Sequence, residues 1–233
     1  MIKINVADLT VALDNKYSYV EELCKPYLCD GEADFCVSAT DEEIEREMKS
    51  LSVSRGYAES VALCSALADK LYLYDAFLMH GAVLANERGA YLFSADSGVG
   101  KTTHVHLWQN EFPDVGILNG DKPIIRKKDG VFYAAATPWR GKEREGGVGK
   151  SPLLAISFIE RASENSAAVL SASDSAGELI KHVYIPRSAG AMIKTLSLAD
   201  ELVKSVFSAK LFVNMNKEAA TLSRAFIDKN ITK

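Results

Sequence analysis

A glycine-bearing loop near the middle of the chain has the residue types that bind phosphate. After an apolar stretch, residues 94–103 read Ser-Ala-Asp-Ser-Gly-Val-Gly-Lys-Thr-Thr. Gly98 and Gly100 let backbone N–H groups approach phosphate oxygens closely, and a helix N-terminus adds partial positive charge. Lys101 has the reach for the β- and γ-phosphates of a nucleotide, and the Thr102 hydroxyl is a ligand for Mg²⁺. The segment therefore predicts a site for ATP and Mg²⁺.

The residues expected to contact the nucleotide are consecutive. They are Asp96, Ser97, Gly98, Val99, Gly100, Lys101, Thr102 and Thr103. The loop departs from the G-x-x-x-x-G-K-[ST] pattern at Ala95, where the pattern has its first glycine. Alanine fits that position if its backbone keeps a negative φ. The alternative is a chance Gly-Lys-Thr turn, which the apolar strand before the loop and the helical stretch after it disfavour.

An acid stands where such a loop needs a second functional group. The apolar stretch 115–121 predicts a buried strand that ends in Asp121, a short way downstream of the loop and its helix. In P-loop phosphotransferases an acid at this place holds Mg²⁺, directly or through water, or takes the proton of the acceptor. We therefore expect Asp121 to be a metal ligand, with Thr102, and the catalytic base. The alternative is a solvated turn aspartate ahead of Lys122 and Pro123.

His80 is a further candidate catalytic residue. It lies in the apolar stretch 77–84, which predicts a strand. The turn 86–89 joins this stretch to the strand 89–94, so a hairpin delivers the phosphate loop, unlike the parallel entry of common P-loop proteins. The hairpin is expected to place His80 near Lys101. A core histidine with a satisfied hydrogen bond is the alternative.

The other histidines are not expected to bind a metal. His104 and His106 share no helical face at i, i+4 spacing, and they have no Cys or His partners at ligand spacing. His182 is expected at the surface, near the end of a helix.

A charged, glycine-rich loop over residues 137–150 supplies four cations, namely Arg140, Lys142, Arg144 and Lys150. Cations on a mobile loop can neutralise transferring phosphoryl charge, and we expect Arg140 or Lys142 to do so. A merely solvated loop is the alternative. The stretch 146–151 imitates a second phosphate loop, but Pro152 and a predicted strand follow it where a helix is needed. We therefore interpret it as part of a flexible lid.

Composition narrows the classes of protein. The 233 residues are 48% apolar and carry a net charge of −4, which argues against a nucleic-acid partner bound through a broad basic surface. No secretory signal and no membrane-spanning apolar run are recognised, so we expect a cytoplasmic protein with no membrane partner. The cysteines match no zinc pattern and are expected as reduced thiols; they are Cys24, Cys29, Cys36 and Cys64. A Cys24–Cys29 redox pair is the alternative.

Periodicity predicts a mixed α/β chain in two parts. Residues 1–76 are predicted to form a small N-terminal lobe of strands and helices, and residues 77–233 a P-loop core. In the lobe we expect strands over 2–6, 9–13 and 33–37, a helix from a capping box at Thr40 to Leu51, and a helix over 57–76. In the core we expect a hairpin over 122–126 and 131–136, strands over 153–159 and 211–214, and helices over 102–109, 174–183, 191–207 and 218–227.

Three short segments resemble HPr kinase/phosphorylase and its smaller bacterial homologues. They are Met79-His80-Gly81, the loop 94–102, and Asn119-Gly120-Asp121-Lys122-Pro123. That family is similar in its nucleotide-binding core to phosphoenolpyruvate carboxykinase. The HPr-kinase-like group also shows segments similar to 137–139, 152–156 and 214–220, so the resemblance to this group covers nearly the whole chain. It implies a mixed-sheet core of the HPr kinase and carboxykinase type.

The resemblance also implies roles for individual residues. His80 matches the histidine that supports the acid, Lys101 the phosphate-loop lysine, and Thr102 the metal-binding hydroxyl. Asp121 matches the second of two paired aspartates, the general base towards an acceptor serine. The first aspartate of that pair is Gly120 here, and the metal-holding glutamate and the phosphorylase signature loop have no recognisable equivalent.

The sequence as a whole predicts a Mg²⁺- and ATP-dependent phosphotransferase. Its acceptor is expected to be a hydroxyl on a protein, a peptide or a small alcohol, and self-association into a homo-oligomer is expected from the resemblance. One rival is a regulatory module that binds ATP without turnover. Another is a decarboxylating carboxykinase, for which no oxaloacetate pocket is recognised.

Overall fold

The first third of the chain builds a small sheet covered by helices. In the computed structural model, which describes residues 1–231, β1 (Ile2–Val6), β2 (Leu9–Asp14) and β3 (Phe35–Ser38) form a three-stranded sheet. β1 and β2 pair antiparallel, whereas β2 and β3 pair parallel. The helices α1 (Ser18–Cys24), α2 (Asp41–Leu51) and α3 (Arg55–Leu71) accompany this sheet.

Local sequence signals set the ends of these helices. The capping box predicted at Thr40 is confirmed, since its hydroxyl accepts from the Glu43 amide at 3.2 Å while the Glu43 carboxylate accepts from the Thr40 amide at 3.0 Å. The prediction that the next helix runs to residue 76 is wrong. α3 ends at Leu71, a 3₁₀ turn follows, and Asp75 adopts a left-handed φ of 52° that ends the helical path.

The rest of the chain is organised around a nine-stranded mixed sheet. Its strands are β4 (Ala76–Leu78), β5 (Ala82–Asn86), β6 (Gly89–Ser94), β7 (Gly116–Asn119), β8 (Ile124–Lys128), β9 (Val131–Ala135), β10 (Lys150–Arg161), β11 (Ser166–Val169) and β12 (Phe207–Val213). The main path runs β4-β8-β9-β10-β6-β5-β7, with β12 on β10 and β11 on β12. The helices are α4 (Lys101–Glu111), α5 (Ala172–Leu179), α6 (Ala189–Ser205) and α7 (Lys217–Ile231).

The two ends of this path are joined by one long, interrupted ribbon. β4 pairs antiparallel with β8, and β5 pairs antiparallel with β7. In sequence, β4 runs into β5 through residues 79–81, and β7 runs into β8 through residues 120–123. Since both strand pairs are therefore halves of the same ribbon, the sheet must curl until its first and last strands approach each other.

Apolar side chains cover both faces of the central strands. Along β6, Ala90 and Leu92 belong to one buried cluster with residues of α6, while Tyr91 and Phe93 belong to another with residues of α4 and α7. Burial on both faces explains the unbroken apolar run of this strand. The cluster with Tyr91 and Phe93 also contains Trp108 of α4, whose indole N–H donates to the Ser223 hydroxyl at 2.7 Å.

The small sheet and the large one share a core. A third cluster contains side chains of α3 together with Leu78, Ile124 and Trp139 from the large-sheet part of the chain. The Trp139 indole N–H donates to the backbone carbonyl of Ser60 at 2.8 Å. The division at residues 76 and 77 stays a prediction, and this shared core fixes the loop that begins near Trp139 against α3.

The structure confirms the mixed α/β class and most elements, with several corrections. The predicted strand 77–84 is two strands, β4 and β5, with His80 at the break between them. The predicted helix 191–207 ends at Ser205, so that Phe207 opens β12, and the predicted helix 174–183 ends at Leu179. Strand β11 was not expected. No helix among residues 1–231 is both long and apolar enough to cross a lipid bilayer.

Glu59 should be a main determinant of stability in the small lobe. Its side chain is fully buried and accepts from the backbone amides of Lys16 at 2.5 Å and Tyr17 at 2.9 Å, which fixes the start of α1 to α3. Glu59→Ala would leave both amides without an acceptor, so we expect the free energy of unfolding to fall by about 2–4 kcal/mol in urea denaturation. The matched change at exposed Glu22 should cost less than about 0.5 kcal/mol. Equal losses for the two variants would contradict this role.

Candidate active site

The predicted phosphate loop lies between β6 and α4 and has the backbone of an anion cradle. Gly98 and Gly100 have φ values of 81° and 121°, a region that disfavours other residues. Open space surrounds the position that a Cβ would take at either glycine. Gly100 is the N-cap of α4 and has no side chain to accept from the first-turn amides, so these donors remain available for phosphate.

Ala95 fits the place of the missing first glycine. Its φ is not among the positive values of the described residues, and its side chain is 2% exposed in the core beside α4. The negative φ that the sequence required of an alanine is therefore present. Just before it, the Ser94 hydroxyl donates to the His80 carbonyl at 2.7 Å and ties the loop to the break in the ribbon.

The break in the ribbon presents His80 opposite Asp121. The Met79 amide donates to the Pro123 carbonyl at 3.1 Å, and the Gly81 amide donates to the Asp121 carbonyl at 2.8 Å. These two bonds carry the pairing across the gap between the regular strands. Asp121 follows the end of β7 rather than ending a buried strand, since β7 is only partly buried and stops at Asn119.

Asn119 shapes the turn that holds Asp121. Its side-chain oxygen accepts from the backbone amides of Asp121 at 3.0 Å and Lys122 at 2.8 Å, in the manner of an Asx turn. Its amide nitrogen donates to the Thr137 carbonyl at 3.1 Å. Asn119 is fully buried, so these bonds satisfy a polar group that would otherwise be costly to bury.

Four side chains form a charged cluster at this point. Asp121 Oδ1 lies 3.2 Å from His80 Nε2 and 3.8 Å from Lys101 Nζ, while Oδ2 lies 2.6 Å from Lys122 Nζ. Lys101 Nζ is also 3.3 Å from His80 Nε2. That ring nitrogen can donate to Asp121 when it is protonated or accept from Lys101 when it is not. The structure thus brings together three residues singled out from the sequence and adds Lys122.

Burial and pairing set the charges of this cluster. Burial alone would raise the pKa of Asp121, but the hydrogen bond from His80 and the ammonium of Lys122 outweigh it, and the pKa lies well below its usual range. Burial lowers the pKa of Lys101, which Asp121 partly offsets. For Lys122 the attraction of Asp121 outweighs burial and raises the pKa. Asp121 is therefore an ionised carboxylate throughout the neutral range.

The 137–150 loop runs beside the cluster and is held at both sides. The Arg144 guanidinium lies 5.8 Å from the ring centroid of Tyr19 on α1, and Arg144 donates to the Tyr19 hydroxyl at 3.4 Å. The next residue, Glu145, lies 2.7 Å from Nε2 of His106 on α4. Two adjacent loop residues thus contact the N-terminal lobe and the phosphate-loop helix.

Arg140 is close to the cluster without touching it. Its guanidinium donates to the Gly146 carbonyl at 3.0 Å, a bond within the loop. Arg140 and Asp121 line the same cleft. Among the contacts of the described residues, none joins Thr102 to Asp121, and Thr102 is exposed at the start of α4. The roles of Arg140 and Thr102 stay predictions.

The other histidines and the cysteines lie outside the charged cluster. His104 is buried against Phe93 and the Ser223 hydroxyl, and burial lowers its pKa to about 4. The expectation that His182 lies at the surface is wrong: it is 8% exposed and stacks on Phe158, because its carbonyl accepts from the His80 amide at 2.7 Å and Val183 pairs with Met79. Within residues 1–231 all four cysteines are free thiols.

The backbone around Gly120 leaves no room for a larger residue at this position. A Cβ at this position would lie 2.8 Å from the Arg140 carbonyl oxygen and 3.1 Å from the Glu145 carbonyl oxygen. The Gly120 amide donates to that same Glu145 carbonyl at 3.1 Å. An aspartate, which the family resemblance would place here, has no room. The loop has taken the space that a second acid would need.

Several residues of the site carried no signal that sequence patterns could read. Glu145 pairs with His106, which is distant in sequence, so only the three-dimensional structure reveals this contact. Lys122 pairs with its direct neighbour Asp121, but no sequence motif singled it out. Tyr27 places its hydroxyl 2.7 Å from the carbonyl oxygens of both Thr137 and Gly147, which ties the small lobe to the loop. The Asn-Gly pair at the end of β7 was the one local signal, since it is typical of a tight turn.

Comparison with known proteins gives only distant structural likenesses. No protein-family model matches the sequence, and no curated protein matches it. A solved structure of the HPr(Ser) kinase/phosphatase from Coxiella burnetii is similar at 8% identity and a TM-score of 0.38, covering 65% of this chain and 91% of that chain. A likeness at this level does not establish a family, so the function rests on the site itself.

Gly120→Ala should disturb the site, whereas Gly116→Ala should not. The added methyl group at residue 120 would press on two backbone carbonyls, which cannot rotate away as a side chain can, so we expect a loss of roughly 1–3 kcal/mol in stability. Gly116 lies four residues earlier, at the start of β7, with open space around the position of its Cβ. Thermal unfolding of both variants is the measurement, and a melting temperature for Gly120→Ala equal to that of Gly116→Ala would sink the steric argument.

Proposed function

We propose that this chain is a Mg²⁺- and ATP-dependent phosphotransferase that moves the γ-phosphate to an acceptor hydroxyl, with serine of a protein or peptide as the acceptor. The observation that supports it is the convergence of a phosphate-loop lysine, a histidine and an ionised aspartate within 3.8 Å. A chance Gly-Lys-Thr turn does not explain why its lysine lies next to both a histidine and an aspartate, which come from the two strands of the interrupted ribbon.

The residues around the loop fit a bound nucleotide and its metal ion. The glycine backbone and the first-turn amides of α4 supply donors for phosphate oxygens. The exposed Thr102 hydroxyl and the carboxylate of Asp121 are hard oxygen ligands that suit Mg²⁺. No group of three His, Cys, Asp or Glu side chains in the described part of the chain could hold a metal unaided. We therefore expect phosphate oxygens and water to complete the coordination.

The protein's own groups then act in three ways. Lys101 and the backbone amides of residues 96–102 hold the β- and γ-phosphates, and Asp121 takes the proton of the acceptor hydroxyl. His80 orients that carboxylate through its contact with Oδ1. ATP, when bound, would supply the phosphoryl group, and its Mg²⁺ would offset the negative charge of the phosphate oxygens. Arg140 or Lys142 lies on the neighbouring loop, from which a cation can neutralise charge developing on the phosphoryl oxygens.

The low pKa of Asp121 favours a second candidate, an ATP-binding regulatory module without turnover. A carboxylate that is stabilised by His80, Lys122 and Lys101 is a weak base, and Gly120 offers no second acid. Proton transfer is most efficient when the pKa of the base is near the working pH. Transfer remains the first proposal because the phosphate-loop lysine, His80 and Asp121 converge within 3.8 Å.

Two substitutions separate nucleotide binding from transfer. Lys101→Ala should weaken ATP binding about 10- to 100-fold, since it removes a charge-assisted hydrogen bond. Asp121→Asn should spare ATP binding and lower transfer by about 10²- to 10⁴-fold, since the amide cannot accept the proton. ATP binding is measured by calorimetry, and transfer by label from γ-labelled ATP in protein, peptide and small-molecule fractions of a cell extract.

The matched control is Lys194→Ala, at an exposed lysine of α6. It should leave ATP binding and label transfer unchanged. Asp121→Asn with wild-type transfer would refute the assigned base. ATP binding that depends on Lys101, with no label in any fraction, would replace the kinase proposal by the regulatory module.

A further inference from the structure

A large cleft opens on the side of Asp121 that faces the N-terminal lobe. Its volume is about 720 Å³, within the range of about 300–1,000 Å³ that is usual for ligand pockets. α3 forms one wall, α1 and the link from α2 to α3 form another, and residues 138–144 of the glycine-rich loop close it. None of the phosphate-loop residues 95–103 is part of this lining in the described chain.

Asp121 stands between this cleft and the phosphate loop. Its Oδ1 faces His80 and Lys101, while its Oδ2 faces Lys122, which lines the cleft with it. A nucleotide on the loop and a second molecule in the cleft would therefore meet the carboxylate from different sides. This is the arrangement that direct transfer needs, because the attacking and leaving oxygens lie roughly in line across the phosphorus.

The walls of the cleft are largely apolar. Side chains of three elements of the N-terminal lobe and of the loop face it, namely Leu23, Leu51, Val53, Val61, Tyr57 and Trp139. An apolar lining of this extent selects for a ligand with an apolar body, since water is released from both surfaces on binding.

The charges of the cleft favour an anion. Four cations line it, namely Lys122, Arg140, Lys142 and Arg144, against the two carboxylates of Asp121 and Glu47. Lys122 is paired with Asp121, whereas no ion pair of Lys142 is found among the described residues and its side chain is exposed. Arg144 is fixed in place over the Tyr19 ring. Two cations at the mouth are thus available for a negative group of the ligand.

We propose that this cleft binds the phosphate acceptor, and that the acceptor is a peptide segment whose serine hydroxyl adjoins apolar side chains and a carboxylate. The inference rests on the proposed phosphotransfer. In the step, Asp121 takes the hydroxyl proton, the serine oxygen bonds to the γ-phosphorus, and the bond from that phosphorus to the β-phosphate oxygen breaks to release ADP. The apolar side chains lie against α3, and the carboxylate lies near Lys142 and Arg144.

Synthetic peptides test the chemistry of the acceptor. The first has leucine and phenylalanine before a single serine and glutamates after it. A second replaces the glutamates with lysines, a third replaces the apolar pair with glycines, and N-acetylserine amide represents a small alcohol. We expect the first peptide to bind at least about tenfold tighter than the others by fluorescence anisotropy, and to be the best acceptor of label from γ-labelled ATP.

Variants of the cleft test the location. Val61→Trp fills the cleft from α3, and Arg144→Glu reverses an exposed charge at its mouth. Each should raise the KM for the first peptide about tenfold or more while the Kd for ATP stays unchanged. Val169→Trp on exposed β11 and Lys194→Glu on α6 are matched changes away from the cleft, and they should alter neither constant.

The outcomes distinguish this inference from the function on which it rests. Absence of Lys101-dependent transfer into every peptide and extract fraction would overturn the phosphotransfer itself. Transfer that is present but insensitive to Val61→Trp and Arg144→Glu would overturn the cleft as the acceptor site. Equal affinity of the glutamate and the lysine peptides, measured by fluorescence anisotropy, would overturn the preference of the cleft for an acidic acceptor. Label in N-acetylserine amide alone would replace the peptide by a small alcohol.

Discussion

The interruption of one antiparallel ribbon is the constraint on which the site depends. Regular pairing stops on both sides of His80 and Asp121, and backbone bonds from Met79 and Gly81 bridge the gap. Continuous pairing would have directed these side chains alternately to the two faces of a sheet. The gap instead lets them meet beside the phosphate loop, which the hairpin of β5 and β6 delivers to the same place.

The cluster at this gap balances burial against pairing. A buried carboxylate is costly unless donors and cations surround it. Asp121 has His80, Lys101 and Lys122 around its two oxygens, and its backbone is held by Asn119. The lysine that a nucleotide would engage is therefore also one of the groups that keep the acid charged, so binding of phosphate and basicity of Asp121 are linked through a single side chain.

Sequence patterns were sufficient where the determining interactions are local. The glycine turn before Lys101, the capping box at Thr40 and the hairpins each depend on neighbours a few residues apart, and they were predicted correctly. The break at His80 was missed because an apolar run looks the same whether it forms one strand or two. The buried position of His182 was missed because its neighbours, His80 and Phe158, come from distant parts of the chain.

The same ribbon has a consequence for how the protein folds. Its two strands come from parts of the chain that a hairpin, the phosphate loop and a helix separate, so their pairing closes a long loop and carries a high entropic cost. Contacts of this kind slow folding relative to local ones. The phosphate loop and α4 can form from local signals, but His80 and Asp121 meet only when the curled sheet is complete. A partly folded chain would therefore contain the glycine turn and α4 without the contact between His80 and Asp121.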